Sequence, residues 1–350
     1  MPLSKIKTNS VADEVFESGS NLIINGAMEI SVRGSSFTSV ANAAYTLDRF
    51  TWYDTGAGVV DISQATDTPN GNFKNSLKVD VTTADSSLAA GDLYAIIQNI
   101  EGTVSSHLGW GTSDAKNVTL SFWVKSPKTG THSVAVQNSA QNRSRSEEFT
   151  VSAANTWEHK VVSFVGDTSG TWLTTTGVGI RLAFPLAAGS TFTQAAGSWG
   201  TGNIYASPNQ VNCMDNTANN FYLTGVQLEI GSSETPFQHE SYEATLRKCQ
   251  RYYFPAGTYN IYAGWAMTWG SGTQYPKVNA DFPVPMRASP TITYANSNTG
   301  AANQIEWVDG TTTGASSWGV GVNGIYYVFT SSSISANFSG QFRYTADAEL

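Results

Sequence analysis

Aromatic rings are the commonest side chains here that could do chemistry: ten Trp, fifteen Tyr and sixteen Phe in 350 residues. Such rings stack on the apolar faces of sugars, and amides or carboxylates beside them bind hydroxyls. Four tryptophans lie in glycine-containing stretches: Trp265 and Trp269 in YAGWAMTWGSG, Trp307 in IEWVDG and Trp318 in GASSWGVG. Rings in glycine-rich loops are more often exposed than rings in alternating strands such as Trp123. These four are therefore the candidate ligand contacts, with core or subunit packing as the alternative for each. Trp110 and Trp199 are weaker candidates.

Reactive constellations are scarce. The four histidines, His107, His132, His159 and His239, form no H-x-x-x-H pair and none neighbours a cysteine in ligand spacing, which argues against zinc. No G-x-S-x-G, G-x-x-x-x-G-K-[ST] or strand-linked G-x-G-x-x-G occurs. A glycosidase needs only two carboxylates, and Asp48, Asp54, Asp61, Glu101, Asp215, Glu306 and Asp309 are available. No spacing rule selects a pair, so a turn or surface role is expected for each and no catalytic residue is assigned. The repeated short strands of a parallel β-helix are also missing.

Only 13% of residues are charged, 40% are hydrophobic, and 32 Gly face 19 Lys plus Arg. That balance suits an all-β chain with many turns. Net charge is −8 without a basic block, which argues against a nucleic-acid partner. Two cysteines, Cys213 and Cys249, make no disulfide framework and are expected as buried thiols. The opening MPLSKIKTNSVADEVFESGS lacks the apolar run of a signal peptide, and no later stretch reaches about 18 apolar residues. The expectation is a protein made in the cytoplasm without membrane insertion.

The elements that must position any site are strands. NSLKVDVTT alternates through Leu77, Val79 and Val81, and NVTLSFWVKSP puts Val118, Leu120, Phe122 and Val124 on one face. Nine or ten such runs over about 210 residues, each bounded by Gly, Asn, Ser or Pro, predict an antiparallel jelly roll. Residues 187–219 are mostly small and polar but carry Phe192, Trp199 and Tyr205, so this long loop is expected to lie over the sandwich. SSETPFQHESYEATLRKCQRYYFP holds the one good helix signal, with Ser241 as N-cap and Pro255 as the stop. The predicted organisation is all-β: an arm at 1–20, a jelly-roll β-sandwich at 21–238, a short linker helix at 239–255 and a small C-terminal β-sandwich domain at 256–350.

Two motifs carry a family likeness. NLIINGAMEISVRGSSF followed by YTLDRFTWY resembles the opening of a recurrent domain in tail-fibre and other virion proteins of tailed bacteriophages. Gly26, Arg33, Gly34, Tyr45, Asp48, Arg49 and Phe50 occupy the motif's places, and Val32 departs from its usual Gln. The stretch LTGVQLEIGSSETPFQHESYEATLRKCQRYYFP is similar to the closing strand and exit segment of such domains, through Gln227, Leu228, Glu229, Gly231, Pro236, Phe237, Arg247, Cys249, Gln250, Arg251, Tyr252 and Tyr253. LSKIKTNSVADE is similar to the starts of fibre proteins from phages of cyanobacteria and other marine bacteria, and FRYTADAEL to their ends.

The resemblance implies a homotrimeric tail-fibre protein of a virion, docked to other virion proteins through residues 1–20 and attached to a host surface glycan or protein. Sugar-binding jelly rolls share the architecture and often hold a structural calcium near their first and last strands, where Glu29 and Glu229 stand here. On this view the helix is a hinge post near a three-fold axis. Leu246, Cys249 and Tyr253 would share one face, with Arg247 and Arg251 on another, and Glu240 and Glu243 would pair with Arg247 and Lys248. Two other functions stay open: a purely structural capsid or collar decoration or fibre adaptor, and a carbohydrate-active enzyme or its binding module.

Overall fold

The computed structural model describes residues 21–257, 265–267, 277–307, 312–330 and 339–350. The predicted arm at 1–20 lies outside them. The chain divides into two compact units after Ser241, and both are built almost wholly of antiparallel strands.

The first unit contains β1 (Ser36–Phe37), β2 (Thr51–Asp54), β3 (Val59–Ala65), β4 (Ser76–Thr83), β5 (Leu93–Glu101), β6 (Val118–Lys125), β7 (Gly130–Gln137), β8 (Ser144–Val151), β9 (Glu158–Phe164), β10 (Val178–Ala188) and β11 (Asn220–Ile230). They form a six-stranded sheet, β1-β3-β4-β11-β6-β9, and a five-stranded sheet, β2-β5-β10-β7-β8. The expected alternation holds. Leu77, Val79 and Val81 of β4, and Val118, Leu120, Phe122 and Val124 of β6, all point into the core between the sheets.

The two outward faces differ. In β5 every residue is buried, because the five-stranded sheet is covered on both sides. Its outer face carries Leu93, Ala95, Ile97 and Ala183, packed under Tyr205 and Phe192 of the long loop. Tyr205 stacks on Tyr53 with centroids 6.3 Å apart. Polar contacts fasten this roof: Ser207 N donates to Ser133 Oγ, Ser133 N to Gln210 Oε1, and Gln137 Nε2 to the Ile204 carbonyl. The loop thus lies over the sandwich as its aromatic residues predict. The outer face of the six-stranded sheet is covered only in part: Thr119, Ser121, Gln227 and Glu229 are buried on it, while Trp123 is half-buried.

The motif residues are structural. Gly26 sits so close to β11 that a Cβ would lie 2.1 Å from the Val226 carbonyl oxygen. Asp48 is buried and accepts from Val32 N at 2.7 Å, a backbone contact that does not use the side chain at position 32. Arg33 lies 3.8 Å from the same carboxylate and covers the Tyr45 ring. Arg49, at φ 74°, donates from Nη2 to the Asn99 carbonyl.

His132 is fully buried against Phe149, with Nε2 2.9 Å from the Lys128 carbonyl oxygen. Desolvation pushes its pKa down. The folded protein therefore holds fewer protons than the unfolded chain just below about pH 6.5, the ordinary imidazole value. Its contribution to stability is present above that pH and is lost as pH falls toward the depressed value. Melting temperatures taken from pH 7.5 down to 5 should drop, and His132→Gln should flatten that slope.

The second unit opens with α1 (Tyr242–Gln250). It continues through β12 (Tyr253–Ala256), β13 (Trp265–Met267), β14 (Lys277–Asp281), β15 (Thr291–Ala295), β16 (Gln304–Trp307), β17 (Thr312–Gly321), β18 (Gly324–Thr330), β19 (Ser339–Gln341) and β20 (Arg343–Asp347). Strands β12-β20-β15 form a sheet, and β13-β14-β18-β17-β16-β19 close into a barrel.

The helix is shorter than predicted. It ends at Gln250, and Pro255 is not its stop but a member of β12, opposite Thr345. The run Tyr252-Tyr253-Phe254 favours extended structure, and pairing with β20 decides the matter. Tyr253 is consequently off the helix, on a strand opposite Asp347. The buried stripe is Thr245, Cys249 and Tyr252, while Leu246 and Arg251 are half-buried and Arg247 is exposed. Both cysteines are buried thiols outside any disulfide.

Candidate functional site

The outer face of the six-stranded sheet carries a groove of about 600 Å³, within the size range of small-molecule sites. Strand phase builds its floor. On β6, Trp123 is out of step with Phe122 and Val124, so it projects outward, as does Ser121. On the neighbouring β9, His159 stands opposite Trp123, their rings 5.0 Å apart and tilted by 47°.

Beside them β11 is interrupted. Its register against β6 shifts between Thr224 and Gln227, and Gly225 takes φ 62° at the irregularity. A Cβ there would meet Phe73 Cζ at 2.8 Å and Trp123 Cδ1 at 3.0 Å. Glycine therefore allows both rings to close on the sheet. Gly225→Ala is expected to cost upwards of about 1 kcal/mol, measurable as a lowered Tm.

The far wall is the segment leaving β11. Phe237 packs edge-on against Phe73 at 5.1 Å, and His239 lies 5.4 Å from Phe73 and 4.9 Å from Phe237. Glu234, Thr235 and Pro236 complete it, facing Asn70 and Asn72. Buried hydrogen bonds hold this wall. The Glu229 carboxylate is fully buried and accepts from Thr235 N at 2.8 Å, Thr235 Oγ1 at 2.7 Å and Gln227 Nε2 at 3.0 Å. Gln227 Oε1 accepts from Gln238 N at 2.8 Å. At the rim, His159 Nε2 lies 3.5 Å from Glu234 Oε2, and both side chains are substantially exposed.

The Glu229 carboxylate serves this wall rather than the calcium expected at Glu29 and Glu229. The Glu229 oxygens are engaged by protein donors, and Glu29 is half-buried with its carbonyl accepting from Gln64 Nε2. Among the described residues no cluster of three or more His, Cys, Asp or Glu could hold a metal ion. The residues present do not fit such an ion.

The tryptophan candidates also fall out differently. Trp307 is 2% exposed in the core of the second unit, where a Cβ on Gly340 would lie 2.6 Å from its ring. Ile305 is buried two residues earlier on β16, and that strand's alternation carries Trp307 inward with it. The ligand role expected for Trp307 is therefore corrected to core packing. Trp265 and Trp318 fall on β13 and β17 rather than in loops, and Trp269 lies outside the described residues. Trp110 and Trp199 pack edge-on with Trp172, at 5.4 Å from one another and 4.7 and 5.5 Å from it.

Sequence reasoning missed Trp123, Phe73, Phe237 and His159. The signal for Trp123 was present in its phase, because an aromatic out of step with an alternating apolar set faces outward. Of the carboxylates considered for catalysis none lines the groove. Glu101 is buried and accepts from Thr103 Oγ1, Asp215 pairs with Lys128, and Glu306 accepts from Asn298. Asp309 lies outside the described residues.

No family model matches the chain, and no curated protein matches it. Among solved structures it is similar to the enzymatically active domain of a bacteriophage CBA120 tailspike protein, at 14% identity over 56% of this chain and 22% of that one, with a TM-score of 0.31. It is also similar to a family 11 carbohydrate-binding module from Clostridium thermocellum in complex with a mixed-linked tetrasaccharide, at 13% identity over 58% and 99% of the two chains, with a TM-score of 0.29. A third is the CBM22-1–GH10 part of xylanase 10B from Clostridium thermocellum, at 14% identity over 59% and 30%, with a TM-score of 0.27. The chain spans under a quarter of the tailspike chain.

Proposed function

We propose that this protein is a non-enzymatic attachment protein of a tailed-phage virion, a homotrimeric tail fibre whose sandwich holds a host-surface glycan in the groove. The observation that carries the binding role is the outward Trp123 floor, walled by Phe73 and Phe237 and rimmed by Asn70, Asn72 and Glu234. Ring faces beside amide and carboxylate groups suit a hydroxyl-rich ligand. Among the described residues Glu234 is the only carboxylate lining the groove, whereas hydrolysis of a glycosidic bond uses two. The virion and trimer parts of the reading rest on the sequence likeness to phage fibre domains, and residues 1–20 are assigned there to docking on other virion proteins.

The test is binding of purified full-length protein to host cells, with solution mass by light scattering on the same samples. Trimers that bind cells, and are displaced by soluble host polysaccharide, support the reading. Trimers that join virion parts but bind no cell surface favour the decoration or adaptor role. Release of reducing ends from that polysaccharide would restore an enzyme. Arg247→Glu on the exposed face of α1 probes the hinge post: if the helix meets sister chains, the trimer mass should fall at low protein concentration.

A further inference from the structure

The charge of the groove narrows its ligand, and this narrowing rests on the glycan reading above. Among the described residues no Lys or Arg lines the groove, and Glu234 is the one carboxylate that does. Two lysines on outward strand positions of the same sheet are already engaged. Lys125 pairs with Asp67 and holds its Nζ 4.2 Å from the Tyr222 ring centroid, and Lys78 pairs with Asp80 at 2.5 Å. The chain as a whole carries a net charge of −8. At pH 8, where an ordinary imidazole is neutral, a sulfated, phosphorylated or uronate-bearing glycan would bring its anion toward Glu234 with no lining Lys or Arg to meet it, and like charges brought together across an interface are disfavoured.

The same carboxylate suits hydroxyls. An ionised carboxylate only accepts, and its two oxygens match two adjacent hydroxyl donors. Glu234 is 41% exposed, at the rim, with His159 Nε2 3.5 Å away on the sheet side. We propose that the groove selects uncharged glycans, and that Glu234 sets this specificity by accepting hydrogen bonds from ring hydroxyls while Trp123 carries the apolar sugar face.

The test is an array read at pH 8 with full-length wild type, Trp123→Ala and Glu234→Gln. The array carries purified bacterial capsular and O-chain polysaccharides, uncharged and anionic, with dextran, galactomannan and mixed-linkage β-glucan against alginate, polygalacturonate and chondroitin sulfate. The expected result is binding that depends on Trp123 and is confined to uncharged polymers. Glu234→Gln should weaken it about tenfold or more, since a hydrogen bond to a charged acceptor is lost. Trp123-dependent binding to anionic polymers overturns the class while leaving the glycan reading intact. Trp123-dependent binding that Glu234→Gln leaves unchanged overturns the role of Glu234. Absence of any Trp123-dependent binding sinks the glycan reading itself, and this inference with it.

Discussion

Trp123→Ala should raise the Kd for a groove-bound glycan by at least about 30-fold, the effect of removing a central aromatic anchor worth about 2 kcal/mol. Calorimetric titration with the tightest polysaccharide from the array would measure it. Stability should change little, with Tm falling by no more than about 3 °C, because the indole is half-buried on an outward face and leaves no closed cavity. Trp307→Ala makes the opposite control. That ring sits in the core of the second unit, so its removal should cost about 3–5 kcal/mol without touching the groove. Loss of stability but not of binding in Trp123→Ala would mean that the ring is packing, not platform.

Asp167→Ala should destabilise the sandwich by about 3–5 kcal/mol. The Asp167 side chain is 2% exposed and meets Arg143 through two parallel bonds, Nε to Oδ2 at 2.9 Å and Nη2 to Oδ1 at 2.6 Å. Ser169 N and Trp172 Nε1 also donate to it, at 3.2 Å each. The carboxylate thus holds the Trp172 corner of the tryptophan cluster, and Arg143 lies over Trp199 at its other side. Removing Asp167 leaves a largely buried guanidinium and several donors without their acceptor. Thermal unfolding should show a drop of about 10 °C or more. Asp167→Leu combined with Arg143→Met should recover part of it, because no uncompensated charge remains. A double variant as unstable as Asp167→Ala alone would place the loss in packing rather than in charge.

The architecture of the sandwich was legible in the sequence because period-2 patterns report which face is dry. Leu77, Val79, Val81 and the β6 set Val118, Leu120, Phe122 and Val124 all went inward as the alternation requires. The run LYAIIQNI carries no alternation, and β5 proved to be buried on both faces. Composition told glycine-rich from apolar stretches, and so drew attention to Trp265, Trp269, Trp307 and Trp318. Proximity to glycine says little about exposure, however, whereas strand phase says much. Ile305 and Trp307 share a phase and are both buried, while Trp123 is out of phase with its neighbours and is outward.

What the chain alone determined is thus local: strand identity, the dry face of each strand, the aromatic anchors in the long loop, and the family-like motifs that lock Gly26 and Asp48 in place. Tertiary structure decided the rest. It roofed one sheet with 189–219 and covered the other only in part, it ended α1 at Gln250 by pairing Tyr253–Ala256 with β20, and it assembled the groove. Phe73, Trp123, His159, Gly225, and the pair Glu234 and Phe237 come from five separate stretches spread over some 165 positions. Contacts of that span depend on sheet order, which no local periodicity encodes, because period 2 fixes the face of a residue and not its neighbour across the sheet.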